Sequence, residues 1–542
     1  ADAQIEKVEL RIWLESKGEE QLFLMNKRKL KEAYRYSIKF KPEINELHWY
    51  SFKITFGPDW SCFYGPKEGR QGGIGKVYDY SPSSYQLTVY KETKLPDWYK
   101  NGVVYQIFPD SFYRGSGKFD ESKLPDKIHK NGPKREFRDW GENPRYIRNE
   151  DGSINTVSFL VGTLKGIEEK LDYIKELGAT IIYLNPIFMA ASTHRYDTSD
   201  YTKIEPLLGT EQDFVSLCKQ AKKLGIRIIL DGVCNHTGCD SLYFNKYKNF
   251  GEGGAFNKEN SKYRKWYNIN EDGSYTGWWG NLDLPDLNEQ EKSYREYICG
   301  DNGVVQKWLR LGASGWRLDV ADELPDDFIA DIRNACKKAK RDSVLMGEVW
   351  EDASNKRAYG VLRKYFSGNE LDCVMNYPFR NAIEDFLIGK INADDVSEII
   401  TTLQENYPKS AFDGNLNMLS SHDRMRVLTV LGDAPNPDEL SEEEQANFNL
   451  SDEQYSLAIS RTWLALLAQM TFPGVPCVYY GDEQGMQGFR DPFNRASMPW
   501  DTGDQDIYNM YCNAASMNKL LAAYEDGDFS IRANGRDVLI WS

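Results

Sequence analysis

Four short strings carry groups able to transfer protons or attack a polarised carbon: "DGVCNH" with Asp231, Asn235 and His236, "GWRLD" with Arg317 and Asp319, "GEVW" with Glu348, and "SSHD" with His422 and Asp423. Each closes or follows a short apolar run, so each reads as the end of a β-strand. Three carboxylates, Asp319, Glu348 and Asp423, then arrive from separate strands, a set suited to acid, base and nucleophilic catalysis. Any one strand-end Asp is explained as well by capping a following helix or pairing with an arginine. Their joint occurrence with strand-end histidines weakens that explanation.

Such groups meet only if a scaffold turns the strand ends toward one another. Candidate strands at 103–108, 180–185, 226–231, 314–319, 344–349, 371–375, 416–420 and 475–480 alternate with helical patterns. Among these helices, "LKGIEEKLDYIKELG" and "EQDFVSLCKQAKKLG" each close on a Gly suited to a helix C-terminus. The alternation predicts an α/β chain folded as a (β/α)8 TIM barrel over 97–505, with its chemistry on the face where the strands end. Long spacing after the third strand, rich in Gly, Asn, Tyr and Trp, predicts an inserted subdomain at about 236–290. A polar insert at 113–155 reads as surface loops.

Before the barrel, residues 1–96 hold short β-branched and aromatic segments such as "VELRIWLE" and "HWYSFKITF", which predict a β-sandwich. A single open sheet would not bury those aromatics, so a second layer or a neighbouring domain must cover them. At the other end, 506–542 reads as the start of a C-terminal β-domain, short or incomplete. The most apolar stretch, "TWLALLAQMTFPGVPCVYYG", is interrupted by Gln469, Pro473, Gly474 and Pro476. It is a buried helix, turn and strand, not a membrane span.

Composition narrows the partners. The chain has 542 residues, 27% charged and 41% hydrophobic, which excludes a mainly disordered or low-complexity polymer. A formal net charge of −15 opposes a nucleic-acid backbone or an anionic membrane as the main partner, though it leaves room for a local basic patch. Aromatic residues make up 13% of the chain, and flat amphipathic rings suit carbohydrate faces as well as core packing. Nine irregularly spaced Cys support neither a disulfide framework nor a zinc ribbon; Cys234 and Cys239 lack a second ligand pair. Reduced thiols in the cytoplasm are the expectation, while a secreted mature chain would also lack a leader.

Taken in order, "VVYQIFPD", "HRYDTSDY", "DGVCNH", "GWRLDVADE", "GEVW", "SSHD" and "GVPCVYYGDE" resemble the motifs of the α-amylase superfamily of glycoside hydrolases, family 13. The resemblance is closest to the neopullulanase, cyclomaltodextrinase and maltogenic amylase branch. It implies Asp319 as nucleophile, Glu348 as general acid/base and Asp423 as the third carboxylate that orients sugar hydroxyls. It further implies that Asp231, Arg317, His236 and His422 shape the subsite where the bond breaks, with Tyr196 stacking beneath the sugar. Trp350 would serve the leaving-group side, and Asp491 and Arg495 of "DPFNR" the opposite side. His194, Trp278 and Trp279 are further candidates for the cleft.

The physical need agrees: retaining cleavage sets one carboxylate to attack the anomeric carbon and another to protonate the leaving oxygen, about 5–5.5 Å apart. Arg317, two residues from Asp319 on one strand face, is expected to favour an ionised Asp319, and burial beside a carboxylate to keep Glu348 protonated. The implied activity is endo-type hydrolysis of α-1,4 bonds in cyclodextrins, pullulan, starch fragments and maltooligosaccharides, with transglycosylation as a companion. Alternatives are an exo-acting α-glucosidase or oligo-1,6-glucosidase, favoured by Asp286 in "LPDLN", and a noncatalytic glycan-binding protein. No organic cofactor is needed, and no Asp/Asn-rich calcium loop follows "FPDSF", where Ser111 replaces the family's usual Arg. A homodimer through the N-terminal domain is one arrangement the sandwich allows.

Overall fold

The computed structural model describes residues 5–57, 60–117, 129–148, 154–521 and 527–542. At its centre eight short parallel strands form the expected barrel: β1 (Val104–Ile107), β2 (Ile181–Leu184), β3 (Arg227–Gly232), β4 (Gly315–Leu318), β5 (Val344–Gly347), β6 (Cys373–Val374), β7 (Leu416–Met418) and β8 (Val475–Tyr479). Their order in the sheet is β6-β5-β4-β3-β2-β1-β8-β7. A single parallel bridge, Met375 to Leu416, closes the ring between β6 and β7.

The strands are apolar on both faces because both are covered. Val104, Ile181, Ile229, Val344, Leu416 and Val475 fill the barrel interior. Their neighbours Tyr105, Ile182, Ile228, Trp316 and Leu345 pack outward against the helical ring. The helix Glu211–Lys223 begins with a capping box in which Thr210 and Asp213 satisfy each other's backbone N–H groups. It ends at Gly225, whose φ of +77° gives the left-handed turn that glycine adopts without steric cost.

The N-terminal region is antiparallel. Leu47–Gly57 is its axis, paired on one edge with Lys7–Leu14 and on the other with Trp60–Gly65 and Tyr85–Thr88. Leu10, Ile12 and Leu14 alternate onto the buried face, which Phe23, Ile38 and Phe40 help to close. A separate hairpin, Asn26–Lys29 with Tyr34–Ser37, stands beside this sheet. Gln86 joins the region to the barrel through a 2.9 Å bond to Ser354.

Two features depart from the sequence expectation. The boundary placed at 505 falls at the start of a helix, Gln505–Leu521, that packs on Asp452–Thr471 and completes the last β/α unit. Ile507, Tyr511, Ala514 and Ala515 are buried at helical spacing, so the β region is confined to a hairpin, Ile531–Ala533 with Leu539–Trp541. An antiparallel ribbon after β2, Phe188–Ala190 with Thr198–Ile204, was not expected and carries "HRYD" at its turn.

The insertion after β3 has few strand pairs; an aromatic cluster of Tyr243, Tyr263, Trp266 and Tyr297 supplies its core. Of the 113–155 insert, 118–128 and 149–153 lie outside the described residues. Among the described residues no helix is long and apolar enough to cross a membrane.

Candidate active site

Asp231 is the penultimate residue of β3, Arg317 lies on β4, and Asp319 and Glu348 immediately follow β4 and β5. This placement lets one buried guanidinium organise three acids. Arg317 Nη1 donates to Asp231 Oδ1 and to Asp319 Oδ1, each at 2.8 Å, and its Nη2 lies 3.0 Å from Glu348 Oε2. Asp231 is held further by the hydroxyls of Tyr183 at 2.6 Å and Tyr196 at 2.9 Å. Glu348 accepts the Val320 N–H at 2.9 Å and the Trp350 indole N–H at 3.2 Å. Val320 sits at φ 41°, an uncommon conformation for a β-branched residue, and in it the backbone N–H meets the Glu348 carboxylate.

Asp423 follows β7 by way of the turn "SSHD", which Asn494 fastens with bonds to the carbonyls of Ser421, His422 and Arg424. The Gln106 amide N–H donates to His422 Nδ1 at 3.0 Å, which leaves the proton on Nε2, 3.2 Å from Asp423 Oδ2. Tyr196 stacks on the His422 ring at 5.4 Å and 10°. His236 faces the Asn235 side-chain oxygen through Nδ1 at 3.1 Å, while its buried Nε2 has no protein partner. With the proton on Nδ1, that Nε2 is an acceptor for a ligand hydroxyl. Burial lowers His236 and His194 to about 3 and His422 well below its usual value, so all three are neutral near pH 7.

Charge in the site is unbalanced. Burial, then Glu348 and Asp231, push Asp319 well above the usual carboxylate range against the pull of Arg317. Burial and Glu348 raise Asp423 to about 7. Arg317 favours the ionised form of Asp319, as expected, but burial and the neighbouring acids Glu348 and Asp231 oppose it. One guanidinium is shared by three acids, so its charge is not Asp319's alone.

Nine of the eleven site residues singled out from sequence line one cleft of about 820 Å³: Tyr196, His236, Asp319, Glu348, Trp350, His422, Asp423, Asp491 and Arg495. His194, Trp278 and Trp279 line it as well. Asp231 and Arg317 are absent from the lining and fully buried beneath it. Trp350 stacks on Tyr377 at 4.2 Å and 7°, and the Arg424 guanidinium carbon lies 5.4 Å from the centre of the same ring. Arg495 binds Asp491 at 2.9 Å and lies 3.7 Å from Asp423, while two of its nitrogens donate to the His422 carbonyl.

Sequence reasoning passed over Gln106, Tyr183 and Asn494, whose only signal was polarity inside apolar or loop strings. It also passed over Glu323, which accepts from the Trp279 indole at 3.0 Å and from the Tyr359 hydroxyl. Ser111 lies near the site, its hydroxyl donating to the Arg495 carbonyl at 2.8 Å. Half-buried Asp286, raised to about 6 by burial and Glu323, bridges the His236 backbone. Cys239 faces Asp283, and all nine cysteines are free. Among the described residues no group of three or more His, Cys, Asp or Glu is placed to hold a metal ion.

A (β/α)8 barrel with an antiparallel N-terminal domain and three acids at the ends of β4, β5 and β7 has the architecture of a carbohydrate-cleaving barrel. Residues 106–542 match the family described as alpha amylase, catalytic domain. The chain belongs to the α-amylase family. It is 38% identical over 529 residues to an amylopullulanase of Thermoanaerobacterium thermosulfurigenes, covering 90% of this chain and 27% of that protein. The chain thus spans about a quarter to two-fifths of the amylopullulanases it matches. A cyclomaltodextrinase of Thermoanaerobacter pseudethanolicus is 33% identical over 454 residues, covering 81% of this chain and 68% of that one. Among solved structures, the type III pullulan hydrolase from Thermococcus kodakarensis superposes with a TM-score of 0.69 at 26% identity, covering 100% of this chain and 87% of that one.

Proposed function

We propose that this chain hydrolyses α-1,4-glucosidic bonds in cyclodextrins, pullulan, starch fragments and maltooligosaccharides with net retention of configuration. The observation that carries the reading is the placement of Asp319 and Glu348 on the two terminal nitrogens of Arg317, with Asp423 lining the same cleft. The amylopullulanase and cyclomaltodextrinase relatives support the substrate class.

In this mechanism Asp319 attacks the anomeric carbon while Glu348 gives its proton to the departing glycosidic oxygen. The bond from sugar to leaving oxygen breaks as the Asp319 ester forms. Glu348, now a base, takes a proton from water, which displaces Asp319 and restores both groups. A sugar hydroxyl arriving in place of water gives transglycosylation. Neutral His422 and His236 hydrogen-bond hydroxyls without adding a second cation beside the developing oxocarbenium charge. No organic cofactor takes part.

The test is a timed product profile from pullulan, β-cyclodextrin, maltotriose and isomaltose, with Asp319→Asn alongside. Early maltose or panose, lost by at least about 10²-fold in the variant, is the expected result. Glucose as the sole product would replace the endo reading with an exo one, and near-native turnover in the variant would remove Asp319 from the nucleophile role.

A further inference from the structure

The N-terminal hairpin carries charge of the opposite sign to the protein. Lys27, Arg28, Lys29 and Lys31 lie on its first arm and turn, and Arg35, Lys39 and Lys41 on and beyond the second. Against these seven cations the segment 26–41 has one acid, Glu32, a formal +6 that leaves −21 for the rest of the chain. All seven are exposed, and none forms an ion pair with a described residue.

Register sharpens the point. Arg28 and Arg35 are direct cross-strand partners, as are Lys27 with Tyr36 and Lys29 with Tyr34. The lysine face is partly occupied, Lys27 lying 4.3 Å over the Tyr34 ring. The arginine face sets like charges opposite each other with no carboxylate between them, an arrangement that costs stability until an anion bridges it. Beyond the hairpin, burial alternates: Ile38 and Phe40 pack into the sheet core while Lys39 and Lys41 point out on the parity of Arg35. The packed residues hold the row in place.

We propose that this hairpin binds an anionic polymer bearing phosphate or carboxylate groups along its length. The cations form a row with no enclosing pocket, which suits repeated charges better than one small ion. Two opposed arginines suit oxyanions, whose oxygens match the guanidinium fork. The strongly negative remainder of the molecule repels such a polymer, so contact is confined to this tip and orients the barrel away from it. Leu30 is the one large aliphatic side chain of the turn, too little apolar surface for insertion into a bilayer.

Titration calorimetry of the full chain with sodium polyphosphate and with polygalacturonate tests this. Binding to at least one is expected at about 50 mM salt, weakened on the order of 50-fold at about 200 mM if some four contacts release counterions. Response to polyphosphate alone assigns phosphate, and to polygalacturonate alone carboxylate. Arg28→Glu with Arg35→Glu is expected to lower affinity at least about tenfold while melting temperature and maltotriose turnover stay unchanged. If that pair fails to fold, Arg28→Gln with Arg35→Gln replaces it. No binding to either polymer at low salt, or binding untouched by the variants, overturns the proposal. Tighter binding to anionic phospholipid vesicles, or a salt-sensitive dimer lost in the variants, would also overturn it by assigning the row to a membrane or a second copy.

Discussion

The barrel mouth and the N-terminal hairpin use charge in opposite ways. In the mouth, Arg317 is fully buried and touches Asp231, Asp319 and Glu348 at 2.8 to 3.0 Å. At the hairpin, Arg28 and Arg35 face each other in solvent with no acid between them. Buried charge must be paired and hydrogen-bonded to exist at all, so each group's protonation depends on its neighbours' positions. Exposed charge is hydrated and screened, so number and sign matter more than position. The contrast separates residues that fix chemistry from residues that fix where the molecule goes.

Three substitutions can break or sharpen it. The largest expected effect is Arg317→Met, which leaves three acids without their shared cation. Loss of about 3–5 kcal/mol of stability is expected, together with loss of turnover. Urea unfolding with native-like stability would show the acids to be neutral as a group.

An intermediate effect is expected at Glu289, which burial raises to about 8. An acid whose folded value lies above its unfolded one contributes stability that is full below the unfolded value and lost as pH rises through the folded value. Glu289→Gln has no proton to lose. Its melting temperature is therefore expected to match the parent near about pH 4.5 and to exceed it above about pH 8. Parallel melting curves across that window would remove Glu289 from the account. The smallest effect is Arg28→Ala: a stability change within about 0.5 kcal/mol and unchanged turnover, because the side chain is solvated. A thermal melt showing more than that would mean the hairpin's charge is structural.

The barrel was legible because its strands are short, apolar on both faces and bounded by glycine-capped helices. The strand ends were legible for the same reason, since the last residue of an apolar run is where polarity first becomes affordable. The helix at 505–521 was missed because "DFSIRANGRDVLIWS" drew the β reading backward over a helical pattern. The ribbon at 188–204 was hidden because its strands pair with each other and not with the barrel.

In the site, residue types were readable and mutual orientation was not. Nothing in "DVADE" announces that Val320 turns left-handed and gives its N–H to Glu348. Likewise the proton position on His422 is set by Gln106, 316 residues away in sequence. Competition for Arg317 is a property of three strands at once, which is why the burial and neighbouring acids that oppose its pull on Asp319 could not be read from the sequence.

The ring of strands is not equally fastened all round. Between β2 and β3 four residue pairs are in register, whereas β6 and β7 meet at one backbone bridge, Met375 to Leu416, backed by side-chain bonds from the Val374 N–H to Asn415 and from Asn376 to Asn417. A hoop under tension parts at its thinnest join, and this join lies on the flank from which Asp423 is delivered. Asp319 and Glu348 hang from the well-laced arc, where β4 and β5 share four pairs. Partial loosening by heat or denaturant is thus expected to displace Asp423 before Asp319 and Glu348, so that turnover would fall at a lower temperature than the helical circular-dichroism signal.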